Sequence, residues 1–275
     1  MDFRSLSKTE ARVILSLEAE GLDLVTLVGI QQRAGVSSGF ARKLAHDLVK
    51  RGWLQRVRRG RYLLNPSHHG PDALPDTDPL RVGSRLLEPY YFGYATAAEL
   101  QGLFPQASQV YYIVTTARYR AGKRSAARFH IVRVLPSRFF GTRTLERRGE
   151  TLVVSDPERT ILDGLNRPEF SGGMAGVAQI LALAKPRLHW RRFGSYIDRF
   201  ANRSLTLRMG FLAEHVRPSL PPPSSWVGPR LARPEEPFVP LGPPSVHGRH
   251  GDRDARWHII RNVSDAQLFA EGEIR

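Results

Sequence analysis

Apolar residues recur at helical spacing through the first fifty positions. Between Leu6 and Ala19 they fall at Leu6, Val13, Ile14 and Leu17, with Arg12, Glu18 and Glu20 largely off that stripe, the pattern of an amphipathic helix. Ser7 followed three residues later by Glu10 reads as a capping box, which starts the helix near Lys8. A second helix is expected over Val25 to Ala34 and stops at Gly35, since glycine takes the left-handed conformation that ends helices. Ser37-Ser38 opens a third. Its apolar stripe is Phe40, Leu44 and Leu48 with Ala41 beside them, and Lys50-Arg51-Gly52 closes it. The period then changes. Trp53 to Val57 and Arg61 to Leu64 are β-prone and flank Arg58-Arg59-Gly60, a hairpin signal. Three helices followed by a hairpin within residues 1–65 is the order of a winged helix-turn-helix module.

Residues 66–79 have the Pro, Gly and Asp content of a linker. Residues 80–217 then alternate helical and strand-like runs. Helices are expected at Leu80 to Leu87, Thr96 to Leu103, Asp156-Pro157-Glu158 through Leu165, Met174 to Lys185, Trp190 to Phe200 and Ser204 to His215. Strands are expected at Val110 to Thr116, Phe129 to Leu135 and Leu152 to Val154; neither face of Phe129 to Leu135 is cleanly polar, which suggests cover on both sides. Residues 218–250 read as a Pro-rich loop, because seven prolines between Pro218 and Pro237 exclude a continuous helix or central strand. Residues 251–275 supply a strand near Trp257-His258-Ile259-Ile260 and a tail associated with the second domain. The fold class is therefore α+β: an N-terminal winged helix-turn-helix followed by a mixed α/β domain.

Charge sharpens the picture. The chain carries 41 Lys+Arg against 26 Asp+Glu, a net charge of +15, which favours polyanionic partners. Only five of the basic residues are Lys; Arg suits bidentate contacts to phosphate and guanine, although codon usage in a G+C-rich genome produces the same bias. Residues 1–70 hold 12 Lys+Arg and six Asp+Glu, a net of +6. No apolar run reaches the roughly 18 residues of a membrane span. The first residues lack the apolar core of a secretory signal, and there is no Cys. A cytoplasmic protein without membrane attachment is the expectation.

The third helix separates its faces. Ala41, Leu44 and Leu48 turn toward the core, while Ser38, Arg42, Lys43, His46 and Lys50 share the other side. A helix in the major groove needs a small polar start and basic flanks. Ser38, Gly39, Arg42 and Lys43 are accordingly expected at base edges or adjacent phosphates, His46 and Lys50 at the DNA backbone, and Arg58, Arg59 and Arg61 as wing contacts. Gly60, with no side chain, lets the hairpin backbone approach a phosphate closely. A solvated basic face, or a winged helix that binds protein, would show the same residues; the order of the elements favours double-stranded DNA.

Enzymatic signatures are weak. Gly122-Lys123-Arg124-Ser125 resembles a phosphate loop, but Arg124 stands where a magnesium-binding Ser or Thr is needed and Ala117 replaces the first Gly. Asp156 and Glu158 form a carboxylate pair without the Lys and further acid of a metal nuclease. As helix signals they have a simpler use: Asp156 caps, Pro157 fixes the first turn and Glu158 complements the helix dipole. His68-His69 and His247 with His250 lie in Gly/Pro-rich loops and make poor zinc ligands. No catalytic residue, metal or cofactor is expected. The alternative kept open is a nucleic-acid-processing, nuclease-like enzyme that uses the winged helix for targeting.

Several stretches carry a family resemblance. They are Leu48-Val49-Lys50-Arg51-Gly52-Trp53-Leu54 through Arg58-Arg59-Gly60-Arg61-Tyr62, Tyr90-Tyr91-Phe92-Gly93-Tyr94-Ala95-Thr96-Ala97, Arg138-Phe139-Phe140-Gly141, and Ser155-Asp156-Pro157-Glu158-Arg159-Thr160-Ile161-Leu162-Asp163. In these the chain resembles the AbiEi-type antitoxins of bacterial abortive-infection toxin–antitoxin systems, from the first helix to about Trp257, with a longer and more irregular Pro-rich segment. The resemblance implies an autoregulating repressor that binds inverted repeats in its own promoter. It also implies that residues 80–217 form an antitoxin domain that counteracts a nucleotidyltransferase-type toxin. It leaves open whether the toxin is touched directly.

Overall fold

The computed structural model describes residues 5–70, 78–104, 109–119, 129–216 and 221–269. The Gly122–Ser125 loop lies outside them. The chain divides into two compact units, residues 1–88 with 117–128, and residues 89–116 with 129–275. The architecture mixes helices with three sheets.

The first unit contains α1 (Lys8–Ala19), β1 (Leu24–Thr26), α2 (Leu27–Ala34), α3 (Ser38–Lys50), β2 (Leu54–Arg58), β3 (Arg61–Leu64) and α4 (Pro79–Ser84). The capping box at Ser7 and Glu10 is present, with Ser7 N–H donating to Glu10 Oε2 at 2.7 Å and Glu10 N–H to Ser7 Oγ at 3.4 Å. The second helix begins two residues later than expected. Thr26 Oγ1 accepts the Gly29 N–H at 3.0 Å and caps α2, so Leu24 and Val25 stay extended and pair antiparallel with Leu63 and Tyr62 of β3. Val13, Ile14, Leu17, Ile30, Ala41, Leu44, Ala45, Leu48, Leu54 and Leu64 are buried together in one core. Phe40 is a correction to the expected stripe. At about 100° per residue the buried arc of α3 is Ala41, Leu44, Ala45 and Leu48, and Phe40 falls outside it, 48% exposed.

The second unit contains β4 (Tyr90–Phe92), α5 (Tyr94–Leu100), β5 (Tyr111–Thr115), β6 (Phe129–Arg133), β7 (Thr142–Arg147), β8 (Glu150–Ser155), α6 (Pro157–Asn166), α7 (Gly173–Ala184), α8 (Trp190–Phe200) and α9 (Arg203–His215). Short pieces follow: α10 (Ser224–Val227), β9 (Val239–Pro240), α11 (Pro244–His247), β10 (Asp252–Asp254), β11 (Ile259–Arg261) and α12 (Asp265–Phe269). Strands β6-β5-β4-β8-β7 form a mixed sheet and β10-β11-β9 a small one, in which Pro240 sits on an edge strand where its missing N–H is tolerated. One expectation fails here and one strand was not anticipated. Strand β6 is an edge, with His130 and Arg133 exposed, and is not covered on both sides. Strand β7 had no signal in the hydrophobic pattern, because it is the polar, opposite edge of the same sheet.

Helix α6 is the centre of this unit. Asp156 Oδ1 accepts the Arg159 N–H at 2.8 Å, Pro157 opens the first turn, and Glu158 to Leu165 are all buried. Arg159 and Asp163, both buried on this helix, are paired with each other. Arg159 Nη2 lies 2.9 Å from Asp163 Oδ1, and Tyr91 OH donates to Asp163 Oδ2 at 3.1 Å. Ile161, Leu162 and Leu165 join the main core with residues of α7, α8 and α9 and with Trp257. No described helix is long and apolar enough to cross a membrane.

Candidate nucleic-acid interface

Helix α3 is set by its two ends. Gly35 ends α2 in the left-handed conformation (φ 65°, ψ 39°), its N–H donating to Gln31 O at 3.0 Å. Ser37 then caps α3 through a 3.4 Å bond from the Phe40 N–H to its hydroxyl. The turn between the two helices is therefore only Gly35 to Ser37. Ser38, Gly39, Arg42, Lys43, His46 and Lys50 are all exposed. Gly39, Arg42, Lys43, His46 and Lys50 share the arc opposite Ala41, Leu44, Ala45 and Leu48, Ser38 stands exposed in the first turn near the edge of the buried arc, and the exposed Phe40 ring stands at its other border.

Helix α3 packs against β2, the first strand of the hairpin. Arg59 and Gly60 make the two-residue tip, and Gly60 has φ +72°, a conformation that strains any residue with a Cβ. The Gly60 carbonyl accepts the Leu27 N–H at 2.9 Å, which fastens the tip to the start of α2. Arg58 and Arg61 stand directly opposite each other in the β2–β3 ladder, next to a register shift between Arg56 and Arg58. Like charges facing across strands destabilise a hairpin. Burial and the neighbouring Arg61 both push the Arg58 guanidinium below its ordinary value. Arg56 and Arg59 are exposed, Arg58 and Arg61 half-buried. All nine residues expected at a DNA surface are thus at least partly accessible, on two elements that pack together. Phe40 and Arg56 are additions to that set.

The other candidate sites have different surroundings. His69 Nδ1 lies 2.9 Å from Asn65 Oδ1 in a short 3-10 turn. Among the described residues no cluster of three or more His, Asp and Glu gathers as a metal site. Asp156 has both oxygens in use, Oδ2 accepting the Tyr196 hydroxyl at 2.8 Å.

Comparison with known proteins adds two findings. The fold is similar to that in the crystal structure of the RV2827C protein from Mycobacterium tuberculosis, with a TM-score of 0.65, 17% identity, and coverage of 93% of this chain and 92% of that one. No curated protein matches the sequence. Residues 12–65 match the family model described as "Transcriptional regulator, AbiEi antitoxin", and this segment is therefore of the AbiEi antitoxin and transcriptional-regulator type.

Proposed function

We propose that residues 5–65 act as a winged helix-turn-helix that binds duplex DNA. Helix α3 lies in the major groove and the β2–β3 hairpin rests as a wing on the neighbouring backbone. Ser38, Gly39, Arg42 and Lys43 reach base edges or adjacent phosphates; His46 and Lys50 hold the backbone on one side, and Arg58, Arg59 and Arg61 hold it on the other. The observation that carries this reading is the segregation of α3, whose exposed arc is polar and cationic from Ser38 to Lys50 while every residue of the opposite arc is buried. Phe40 gives the same helix an apolar contact suited to a thymine methyl group. The crowding of Arg58 against Arg61 is relieved when a phosphate lies between them.

The family match to residues 12–65 supports the wider reading of an antitoxin that represses its own operon. Its operator is an inverted repeat in the promoter upstream of its gene, and it counteracts a nucleotidyltransferase-type toxin encoded beside it. A mobility-shift titration of the full chain tests the first part: the upstream duplex should shift in an excess of unrelated competitor, and equal competition by any sequence would reject an operator. Co-expression with the neighbouring gene tests the second. Growth rescue by the full chain is expected, and undiminished toxicity would reject the antitoxin role.

A further inference from the structure

The sheet of the second unit ends at β6 on one side and at β7 on the other, and the two edges differ in kind. Edge β7 carries Arg143, Glu146 and Arg147, charged side chains of the sort that keep a free edge from pairing with another strand. Edge β6 reads Phe129-His130-Ile131-Val132-Arg133, with Arg133 as its one formal charge. Among the described residues no hydrogen bond reaches its outer side. Such a strand is a template for a further chain.

Two backbone bonds fix which groups point outward. The Tyr112 carbonyl accepts the Gly93 N–H at 3.1 Å on the β4 side, so Tyr111, Ile113 and Thr115 turn their backbone toward β6. The Thr115 carbonyl accordingly accepts the Val134 N–H at 2.9 Å. Backbone groups alternate in direction along a strand. His130, Val132 and Val134 therefore face β5, while Phe129, Ile131 and Arg133 aim their N–H and C=O groups away from the sheet.

A second copy matches this row. With a two-fold axis at Ile131, antiparallel pairing sets Ile131 against the partner's Ile131 and Phe129 against the partner's Arg133. Every outward residue of β6 then enters a doubly hydrogen-bonded pair. A slip by two residues would leave Phe129 or Arg133 without an outward β6 partner. No like charges meet in this register, and each Arg133 guanidinium faces the partner's Phe129 ring, a favourable cation–π pairing. Both side chains are accessible: Phe129 is half-buried beside Tyr111, with ring centroids 6.1 Å apart, and Arg133 is exposed, its Nε donating to Thr116 O at 3.3 Å.

We propose that the chain forms a two-fold dimer through β6, joining the two sheets into one continuous sheet. The pairing needs no DNA. Its symmetry is the one an inverted-repeat operator calls for, and that link alone rests on the DNA-binding reading.

Sedimentation equilibrium of the full chain without DNA tests it. A reversible monomer–dimer equilibrium is expected. Ile131→Pro removes an outward N–H and no bond to β5, a change an edge strand tolerates, and should weaken the dimer by about tenfold or more. Phe129→Arg sets like charges opposite each other on both sides of the axis and should weaken it by a similar factor. Adding Arg133→Glu to that variant makes the same pairs attractive and should restore the dimer, a recovery specific to this register. Circular dichroism verifies each fold; if Ile131→Pro is unfolded, the charge exchange still decides. A chain that stays monomeric at its highest soluble concentration overturns the proposal. So does a dimer that neither change weakens, or one that Arg133→Glu fails to recover. A monomer that still shifts the upstream duplex rejects the dimer and leaves the DNA reading intact; a dimer that shifts no duplex does the reverse.

Discussion

Arg51 Nη1 lies 2.6 Å from Glu10 Oε2, joining the end of α3 to the capping box that starts α1. One carboxylate thereby closes a helix N-terminus and anchors the helix on which the proposed DNA contacts sit. Burial pushes the Glu10 carboxyl up, but Ser7 and Arg51 outweigh it and hold it below its ordinary value. A carboxyl depressed in the folded state adds stability above the unfolded carboxylate range and loses it as the pH falls through the folded value. Arg51→Ala should therefore destabilise α1 and α3 by roughly 1–2 kcal/mol near neutral pH. The deficit should shrink below about pH 4. Native-state hydrogen exchange of the two helices at several pH values measures it, and a deficit independent of pH would remove Glu10 as its source.

The hairpin makes a separate prediction. Replacing Arg58 and Arg59 together with Ala should reduce the slope of log affinity for duplex DNA against log salt by roughly 1–2, because each phosphate contact releases condensed counterions. Anisotropy titrations across a salt series read the slope directly. An unaltered slope would take the hairpin off the contact surface.

Packing in the second unit can be tested at α9. A Cβ at Gly210 would fall 2.1 Å from the Trp257 ring, whose side chain is fully buried. Gly210→Ala should cost on the order of 3 kcal/mol by overpacking, and Trp257→Leu in the same chain should recover part of that loss. Denaturant midpoints of the two variants suffice; a tolerated Gly210→Ala would show that the helix and the indole can separate cheaply.

Much of the first unit could be read from residue order because its signals are local. Ser7 with Glu10, Gly35, Ser37 and the Arg59-Gly60 tip each specify a cap or turn within a few positions. Strand β1 escaped because three extended residues abutting a helix share its apolar spacing, and only the partner strand distinguishes them. Strand β7 escaped because an exposed edge has no buried face to alternate with. Phe40 was assigned to the core by its spacing from Leu44 and Leu48, whereas the buried arc runs through Ala45 instead. In the Asp156–Asp163 stretch the capping role was visible. The Arg159–Asp163 pair with the Tyr91 hydroxyl, and a cavity lined by Gln101, Arg143 and Tyr196, join residues far apart in sequence that only tertiary structure assembles.

The central claim is that the cationic arc of α3 meets a DNA groove. The most direct measurement compares the full chain with Arg42→Ala and Lys43→Ala variants in mobility shifts on the upstream duplex, with circular dichroism to verify folding. Each lost base contact should weaken binding by about 1–3 kcal/mol, roughly 5- to 150-fold, at unchanged helicity. Variants that bind this duplex as tightly as the parent chain would contradict the account.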